Sequence, residues 1–474
     1  MARRPLQRSI GFVVLAVAAL FGALGWALTA ASAPHPGQTH YVQMFGLWRV
    51  AFNTQGPSRA ELIFAILGVL AIAGVVALIE ARVASNDRRS LNDTSTPLSP
   101  RLIMAETRGV FHGPVTVTVL VPAYNEEASL PDTLRSLKAQ SHPPERIIVV
   151  ADNCTDRTVE LALAAGVEVF ETVNNTKKKA GGLNQCLRRV LPNQGLNDVV
   201  MIMDADTQLD DGFLEAAVDR FTRDRALMAV GGLFYGEEGH GILGQMQRNE
   251  YIRYSRDLKR RRGQVFVLTG TASLFRPHAL RTVAAMRGTR IPGVAGDVYD
   301  TLALTEDNEL TIALKSLGAL IISPPECTVV TELMPNWTML WKQRLRWQRG
   351  ALENIGAYSI TPQTFRYWSQ QIGIGYGVVA ITAYLVVMAL LVLASPQWVW
   401  LPFWLAIGLM FSVERVITAW KGGWRARLLA AVLIPELVFA IFLEAVWVRS
   451  ILDIARGRQA SWSHVDHSSQ GAEG

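Results

Sequence analysis

Cysteine is scarce. The 474 residues contain three, Cys154, Cys186 and Cys327, far apart and in no zinc-ligand spacing. That excludes a disulfide scaffold and a structural zinc site, and it fits a reducing compartment. Charge is also thin: 18% of residues are charged while 50% are hydrophobic, and the mean hydropathy is +0.20. Those figures are high for a soluble chain and fit apolar ends around a normally charged middle. The net charge of +6 could suggest nucleic acid. The basic residues mostly flank apolar runs, however, where the positive-inside rule explains them, so no nucleic-acid partner is expected. The length allows one large domain plus several membrane spans.

An apolar run over 10–31 follows Arg3, Arg4 and Arg8, and a second over about 61–80 precedes Arg82, Arg88 and Arg89. Each is long enough to cross a hydrocarbon core at ~1.5 Å per residue. The arginines put the N-terminus and everything after residue 82 on the cytoplasmic side. Ala31-Ser32-Ala33 after the first run also resembles a cleavage site, and in either case residue 82 onward stays inside. The expected organisation is two N-terminal transmembrane helices with an external loop over 1–84, a linker over 85–114, an α/β domain over 115–334, amphipathic interface helices over 335–370, C-terminal transmembrane helices over 371–450 and a tail over 451–474. Within the domain, strands are expected at 115–121, 146–151 and 198–203, with helices over about 127–140, 155–165 and 306–317 and another opened by Gly181-Gly182. This alternation indicates a doubly wound, Rossmann-like sheet with function at the strands' C-terminal ends.

The C-terminal spans are expected at about 372–394, 398–415 and 428–448. Three full crossings would put the C-terminus outside, whereas Arg449, Arg456 and Arg458 favour inside. The last run also carries Pro435, Glu436 and Glu444, and carboxylates in lipid are costly enough to imply an interface, a pore or a partner. Gly373, Gly375 and Gly377 follow no strand and read as helix packing.

Chemistry concentrates in the middle. Asp204-Ala205-Asp206 ends the apolar strand Val199–Met203. In extended backbone the two carboxylates share a side, and oxygen-only ligands suit Mg²⁺ or Mn²⁺ completed by substrate phosphates. Tyr124, Asn125 and Glu126 end the first strand, and Asp152 ends the second; helix capping by Asp152 or Thr155 is the bland reading. Lys177, Lys178 and Lys179 lead into Gly181-Gly182, where ammonium groups and backbone N–H groups could hold a diphosphate, or form a solvated turn. Thr305-Glu306-Asp307-Asn308-Glu309 opens a helix whose dipole favours ionised carboxylates. Gln343, Arg346 and Trp347 follow Trp337 and Trp341 on a stretch that looks like a membrane-interface helix.

Taken in order, Asp152, Asp204-x-Asp206, the Thr-Glu-Asp ending at Asp307 and Gln343-x-x-Arg346-Trp347 resemble the processive family 2 glycosyltransferases, which include the poly-N-acetylglucosamine, hyaluronan, chitin and cellulose synthases. Leu340–Trp347 and Thr269–Arg276 are most similar to the poly-N-acetylglucosamine branch. The resemblance implies a GT-A-type nucleotide-sugar domain inserted between N- and C-terminal transmembrane helices in the plasma membrane. It implies Asp307, with Glu306, as the catalytic carboxylates, and Asp204 and Asp206 at the metal. Tyr124, Glu126, Asp152, Lys179, Asp204, Gln343, Arg346 and Trp347 would bind substrate. The partners implied are a UDP-sugar (UDP-GlcNAc or UDP-glucose), a growing polysaccharide, the lipid bilayer and a small membrane accessory subunit. Trp462 would match a C-terminal gate found in relatives, although the usual following basic residue is missing. The closest alternative is a non-processive relative that adds one sugar to a lipid carrier; the Gln-x-x-Arg-Trp element argues against it.

Overall fold

The computed structural model describes residues 39–44, 48–53, 94–108, 113–260, 265–394, 399–400 and 402–458. The apolar runs over 10–31 and 61–80, and Trp462, lie outside the described residues. The chain divides into two compact units, one of residues 1–86 with 365–458 and one of residues 87–364 with 459–474.

The 87–364 unit is an α/β domain. Its elements begin with α1 (Pro100–Glu106), β1 (Thr116–Ala123), α2 (Leu130–Lys138), β2 (Arg146–Ala151), α3 (Thr158–Ala164), β3 (Glu168–Glu171), α4 (Lys178–Val190) and β4 (Asp198–Ile202). They continue through β5 (Thr207–Leu209), α5 (Phe213–Arg223), β6 (Leu227–Gly231), β7 (Leu233–Gly236), α6 (Gly241–Arg260), β8 (Ser273–Phe275) and α7 (Pro277–Met286). The unit ends with α8 (Glu306–Ser316), β9 (Leu320–Ile322), β10 (Thr328–Thr331) and α9 (Trp337–Tyr358). The seven-stranded sheet runs β9-β6-β8-β4-β1-β2-β3. It is mixed, because β8 lies antiparallel to both β4 and β6, while β1 pairs in parallel with β2 and β4. Strands β1, β2 and β4 read as continuous apolar runs because helices cover both faces, and Val117, Val119, Val121, Val149, Val199 and Met201 form the core beneath them. A second small sheet, β5-β10-β7, sits at the C-terminal end of β4.

The 85–114 segment, expected as a polar linker, contains α1, and its Leu98 is fully buried. The Leu98 N–H donates to the Leu317 carbonyl at 2.9 Å, so this stretch packs on the domain.

In the other unit, Thr39–Met44 pairs antiparallel with Trp48–Asn53, and Val399–Trp400 adds in parallel. The helices are α10 (Phe365–Ala394), α11 (Pro402–Thr418), α12 (Gly423–Val432) and α13 (Ile434–Ala455). Gly375 permits close packing as expected, since a Cβ there would lie 3.1 Å from the Trp447 ring, and Trp447 Nε1 donates to Gln371 Oε1 at 2.8 Å.

The expected span at 428–448 is not one helix. It breaks at Leu433, whose φ is +61°. The cause is Pro435, which has no N–H for the Ala431 carbonyl and whose ring disfavours helical backbone before it. Ser412 Oγ donates to that released carbonyl instead, at 2.8 Å. Among the described residues no single helix is long and apolar enough to cross a membrane, and one pair, Trp420–Val432 with Ile434–Ala455, meets the length and composition together but is bent by 82°.

Candidate active site

The C-terminal ends of β1, β2 and β4 open on one edge of the sheet, which is where a doubly wound sheet binds ligands. At the end of β2, the buried Asp152 does not cap the following helix. Its Oδ1 accepts from Thr172 Oγ1 at 2.7 Å, Asn175 Nδ2 at 2.8 Å and Asn153 Nδ2 at 3.0 Å. Asp156 instead ties the start of α3 to the loop after β1, accepting from the Thr158 and Glu127 N–H groups, each at 3.0 Å. At the end of β1, the Glu126 N–H donates to Thr158 Oγ1 at 2.8 Å and Glu126 Oε2 accepts from Ser129 at 2.6 Å. Tyr124 stands exposed beside them. Asn175 also donates to the Lys178 carbonyl at 2.8 Å, which ties the Asp152 corner to the lysine turn.

Helix α4 opens at Lys178, ahead of the expected Gly181-Gly182 start. The Gly181 N–H is spent on the Lys177 carbonyl at 3.1 Å, so it is not available to a diphosphate. Gly181 is needed for clearance: a Cβ would fall 2.2 Å from Asn175 Oδ1.

Lys179, Asp204, Glu306 and Asp307 converge. The Lys179 ammonium pairs with Asp204 Oδ1 and lies 3.1 Å from Glu306 Oε1. Burial opposes its charge, but Asp204 and Glu306 outweigh that and hold its pKa well above the usual lysine range. For Glu306 burial pulls upward, yet Lys179 wins and its pKa is lowered, with Arg346 of α9 assisting. Asp307 is pushed up to about 6, first by burial and then by the Glu306 charge. Asp206 is likewise pushed up to about 6, by burial and then by Asp204.

Gly270 bridges two aspartates of this cluster. Its N–H donates to Asp307 Oδ2 at 3.1 Å and its carbonyl accepts from the Asp204 N–H at 3.0 Å. A Cβ on residue 270 would sit 2.9 Å from Lys179 Nζ and 3.0 Å from Asp204 Oδ2. Asp307 Oδ1 accepts from the Asn308 N–H at 2.7 Å, so this side chain both caps locally and faces the cluster. Glu309 does not share the helix terminus. It forms a fork-to-fork pair with the fully buried Arg287, at 2.8 and 2.7 Å, and accepts from the Tyr358 hydroxyl at 2.5 Å.

Tyr358 and Asn354 come from α9, which carries Gln343, Arg346 and Trp347. Asn354 Nδ2 donates to the Thr305 carbonyl and to Asn308 Oδ1, both at 3.0 Å. α9 is thereby fastened across the start of α8, and Arg346 lies close enough to Lys178 and Glu306 to shift both. Trp347 lies under the Arg344 guanidinium at 4.3 Å, and Arg344 is itself held by Glu250 at 2.7 Å. Gln343 Oε1 is buried with no hydrogen-bond partner among the described residues.

Several residues that organise the site carry no sequence signal that marks them out. Gly270, Asn354 and Arg287 belong to no charged cluster, Asn175 only heads the lysine stretch that runs from 175 to 184, and of the four only Gly270 sits inside a stretch quoted for its resemblance. Glu332 is another. It follows β10, whose Thr331 pairs with Thr207, so it stands across from Asp206. Burial, then Asp206 and Glu237, push it up to about 7.

Residues 118–284 match the family model "Glycosyl transferase family 2". The poly-beta-1,6-N-acetyl-D-glucosamine synthase of Staphylococcus aureus (strain COL) is 29% identical over 243 residues, 50% of this chain and 55% of that protein. The synthase of the same name from Staphylococcus epidermidis is 27% identical over the same extent. The chain thus spans about half the length of the curated relatives it matches. Among solved structures, the mannosyltransferase PcManGT from Pyrobaculum calidifontis, in complex with GDP-Man and Mn2+, is 18% identical with a TM-score of 0.46, covering 77% of this chain and 97% of its own. Glucosyl-3-phosphoglycerate synthase from Mycobacterium tuberculosis is 17% identical with a TM-score of 0.33, covering 55% and 85%. The domain is a mixed α/β sheet, its residues 118–284 match the family 2 glycosyltransferases, and the curated relatives it resembles over half its length are poly-β-1,6-N-acetylglucosamine synthases.

Proposed function

We propose that the protein is a membrane-embedded, inverting, metal-dependent polysaccharide synthase of the plasma membrane. In this reading it polymerises sugar from UDP-GlcNAc or UDP-glucose into a β-linked chain on the cytoplasmic side and helps export it. The observation that carries the reading is the Gly270 peptide, which joins a metal-type aspartate, Asp204, to a raised-pKa aspartate, Asp307, across a buried lysine.

Asp204 and Asp206 suit a divalent cation. They are adjacent hard-oxygen donors, and Asp206 is held up at about 6 by burial and its neighbour's charge, a repulsion that a bound Mg²⁺ or Mn²⁺ would relieve. Among the described residues no third His, Cys, Asp or Glu side chain converges there, so phosphate oxygens and water would complete the shell of a bound ion. When bound, the ion neutralises charge on the departing diphosphate.

Lys179 and Arg346 present cationic groups to the same diphosphate, and Asp152 with Asn175 and Tyr124 form the nucleoside end. Asp307 takes the proton from the acceptor hydroxyl as its oxygen attacks the anomeric carbon. The new C–O bond forms opposite the breaking bond to the UDP phosphate oxygen, so an α-linked donor yields a β-linked product. Gln343 and Trp347 hold the acceptor end. Membranes incubated with a panel of labelled UDP-sugars, followed by linkage-specific glycosidases, test this directly. Label is expected in a polymer cut by a β-specific enzyme; incorporation from none of the donors would overturn the proposal.

A further inference from the structure

Arg344 is only 3% exposed, and no step of the proposed reaction uses it. A guanidinium taken out of water needs partners to offset its lost hydration. One stands on the neighbouring helix: Glu250 Oε2 of α6 accepts from Arg344 Nη2 at 2.7 Å.

Two aromatic rings meet the same guanidinium. Residues 344 and 347 are three apart on α9 and share a face, so the Arg344 guanidinium carbon sits 4.3 Å from the centre of the Trp347 ring. It also lies 5.5 Å from the centre of the Tyr251 ring on α6. Tyr251 in turn stands edge-on to Phe234 of β7, with ring centres 4.6 Å apart. β7 pairs with β10, and β10 with β5, the strand that opens directly after Asp206. A continuous run of contacts therefore joins the strand beside the metal-type aspartates to the Trp347 ring. Arg344 Nε is buried with no hydrogen-bond partner among the described residues, a cost that a stacked orientation of the guanidinium explains.

Fastening α6 to α9 does not require this contact. Gln247 of α6 already donates to the Met334 carbonyl at 2.9 Å and accepts from the Met334 N–H at 3.2 Å, three residues ahead of α9. We propose that Arg344 is a positioning residue for the acceptor: held by Glu250 and Tyr251, it covers one face of the Trp347 indole and fixes the ring so that its other face takes a sugar of the growing chain. A lysine could not replace it, because an ammonium is a point charge with no plane to stack. The proposal rests on the reading above, in which Trp347 holds the acceptor end.

The test uses the full chain in membranes, with UDP-GlcNAc and a short β-linked N-acetylglucosamine oligomer as acceptor, or UDP-glucose and the glucose oligomer. Arg344→Lys keeps the charge opposite Glu250 and removes the stacking plane. Glu250→Gln/Arg344→Met removes both charges, so neither partner is left as an unpaired ion. Both are expected to raise the acceptor KM about tenfold, the order of a desolvated cation–π contact, while kcat at saturating acceptor and UDP affinity stay within about twofold of wild type. In a Trp347→Ala background, Arg344→Lys is expected to add no further rise. An arginine needed only for packing would lower kcat and UDP binding along with acceptor affinity, and its effect would add to that of Trp347→Ala. Either result overturns the proposal, as does an unchanged acceptor KM in both Arg344 variants when Trp347→Ala raises it. If Trp347→Ala itself leaves the acceptor KM unchanged, the acceptor role of Trp347 falls, and the proposal with it.

Discussion

Replacing Asp307 by Asn separates its two roles in magnitude. The side chain accepts two N–H bonds, from Gly270 at 3.1 Å and Asn308 at 2.7 Å. Asparagine keeps the shape but turns an NH₂ toward one of those donors, so one bond to a charged acceptor is lost, about 1.5–3 kcal/mol of local stability. The loss of proton-accepting ability is larger. General-base removal typically costs ~10²–10⁴ in rate, about 3–5 kcal/mol of transition-state stabilisation. If Asp307 only favoured its helix dipole, the cost would be under ~1 kcal/mol and the rate would fall a few-fold at most. Incorporation of labelled sugar is compared with UDP affinity on the same membranes. Polymer is expected to fall at least about a hundredfold while UDP binding changes little. Polymer near the wild-type level would refute the assignment of the base.

Other consequences can be measured separately. Gly270→Ala should fold, because the new methyl meets only the far ends of Lys179 and Asp204, yet activity should drop at least about tenfold as those ends are displaced; unchanged kcat/KM would contradict the crossbar role. Asp307 must be ionised to act, and its pKa is raised to about 6, so the rate should be full above that pH and fall about tenfold per unit below it. For stability the sign is opposite: the folded state holds this proton where the unfolded chain has lost it, so the group costs stability above about pH 6 and that cost is relieved toward pH 4. A flat rate profile between pH 5 and 7 would contradict both. Glu309→Gln leaves the fully buried Arg287 charge without its partner, a cost of about 3–5 kcal/mol, seen as a fall of roughly 10 °C in the unfolding midpoint; a shift of only a degree or two would show that the pair is dispensable.

How far the sequence could be read depended on how local the determinants were. Arg146–Ala151 appears in the fold residue for residue, because a β-branched run between polar turns has one sensible reading. The helices expected at 127 and 155 start three residues later, at Leu130 and Thr158. There the Glu126 and Glu127 N–H groups are spent across the loops, on Thr158 Oγ1 and Asp156 Oδ2, rather than within a helical turn. β8 was missed because an antiparallel strand of three residues has too short a pattern to read. In the site, the charged residues were legible because each sits at a strand end or helix start. Their connectors were not. Gly270, Asn175, Asn354 and Arg287 act across sequence distances of 22 to 49 residues, which no local pattern encodes. The break at Leu433 is an intermediate case: Pro435 is visible in the sequence, but the rescue of the Ala431 carbonyl by Ser412 needs the fold.

Under the proposed function this site builds a β-linked polymer processively. Its most direct test is a brief reaction of the full chain in membranes with labelled UDP-GlcNAc or UDP-glucose and excess acceptor, with products sized before the acceptor is consumed. A processive synthase gives long labelled chains beside untouched acceptor, with UDP released for each sugar added and every linkage β. A product carrying one sugar on a lipid, or α linkages throughout, would contradict it.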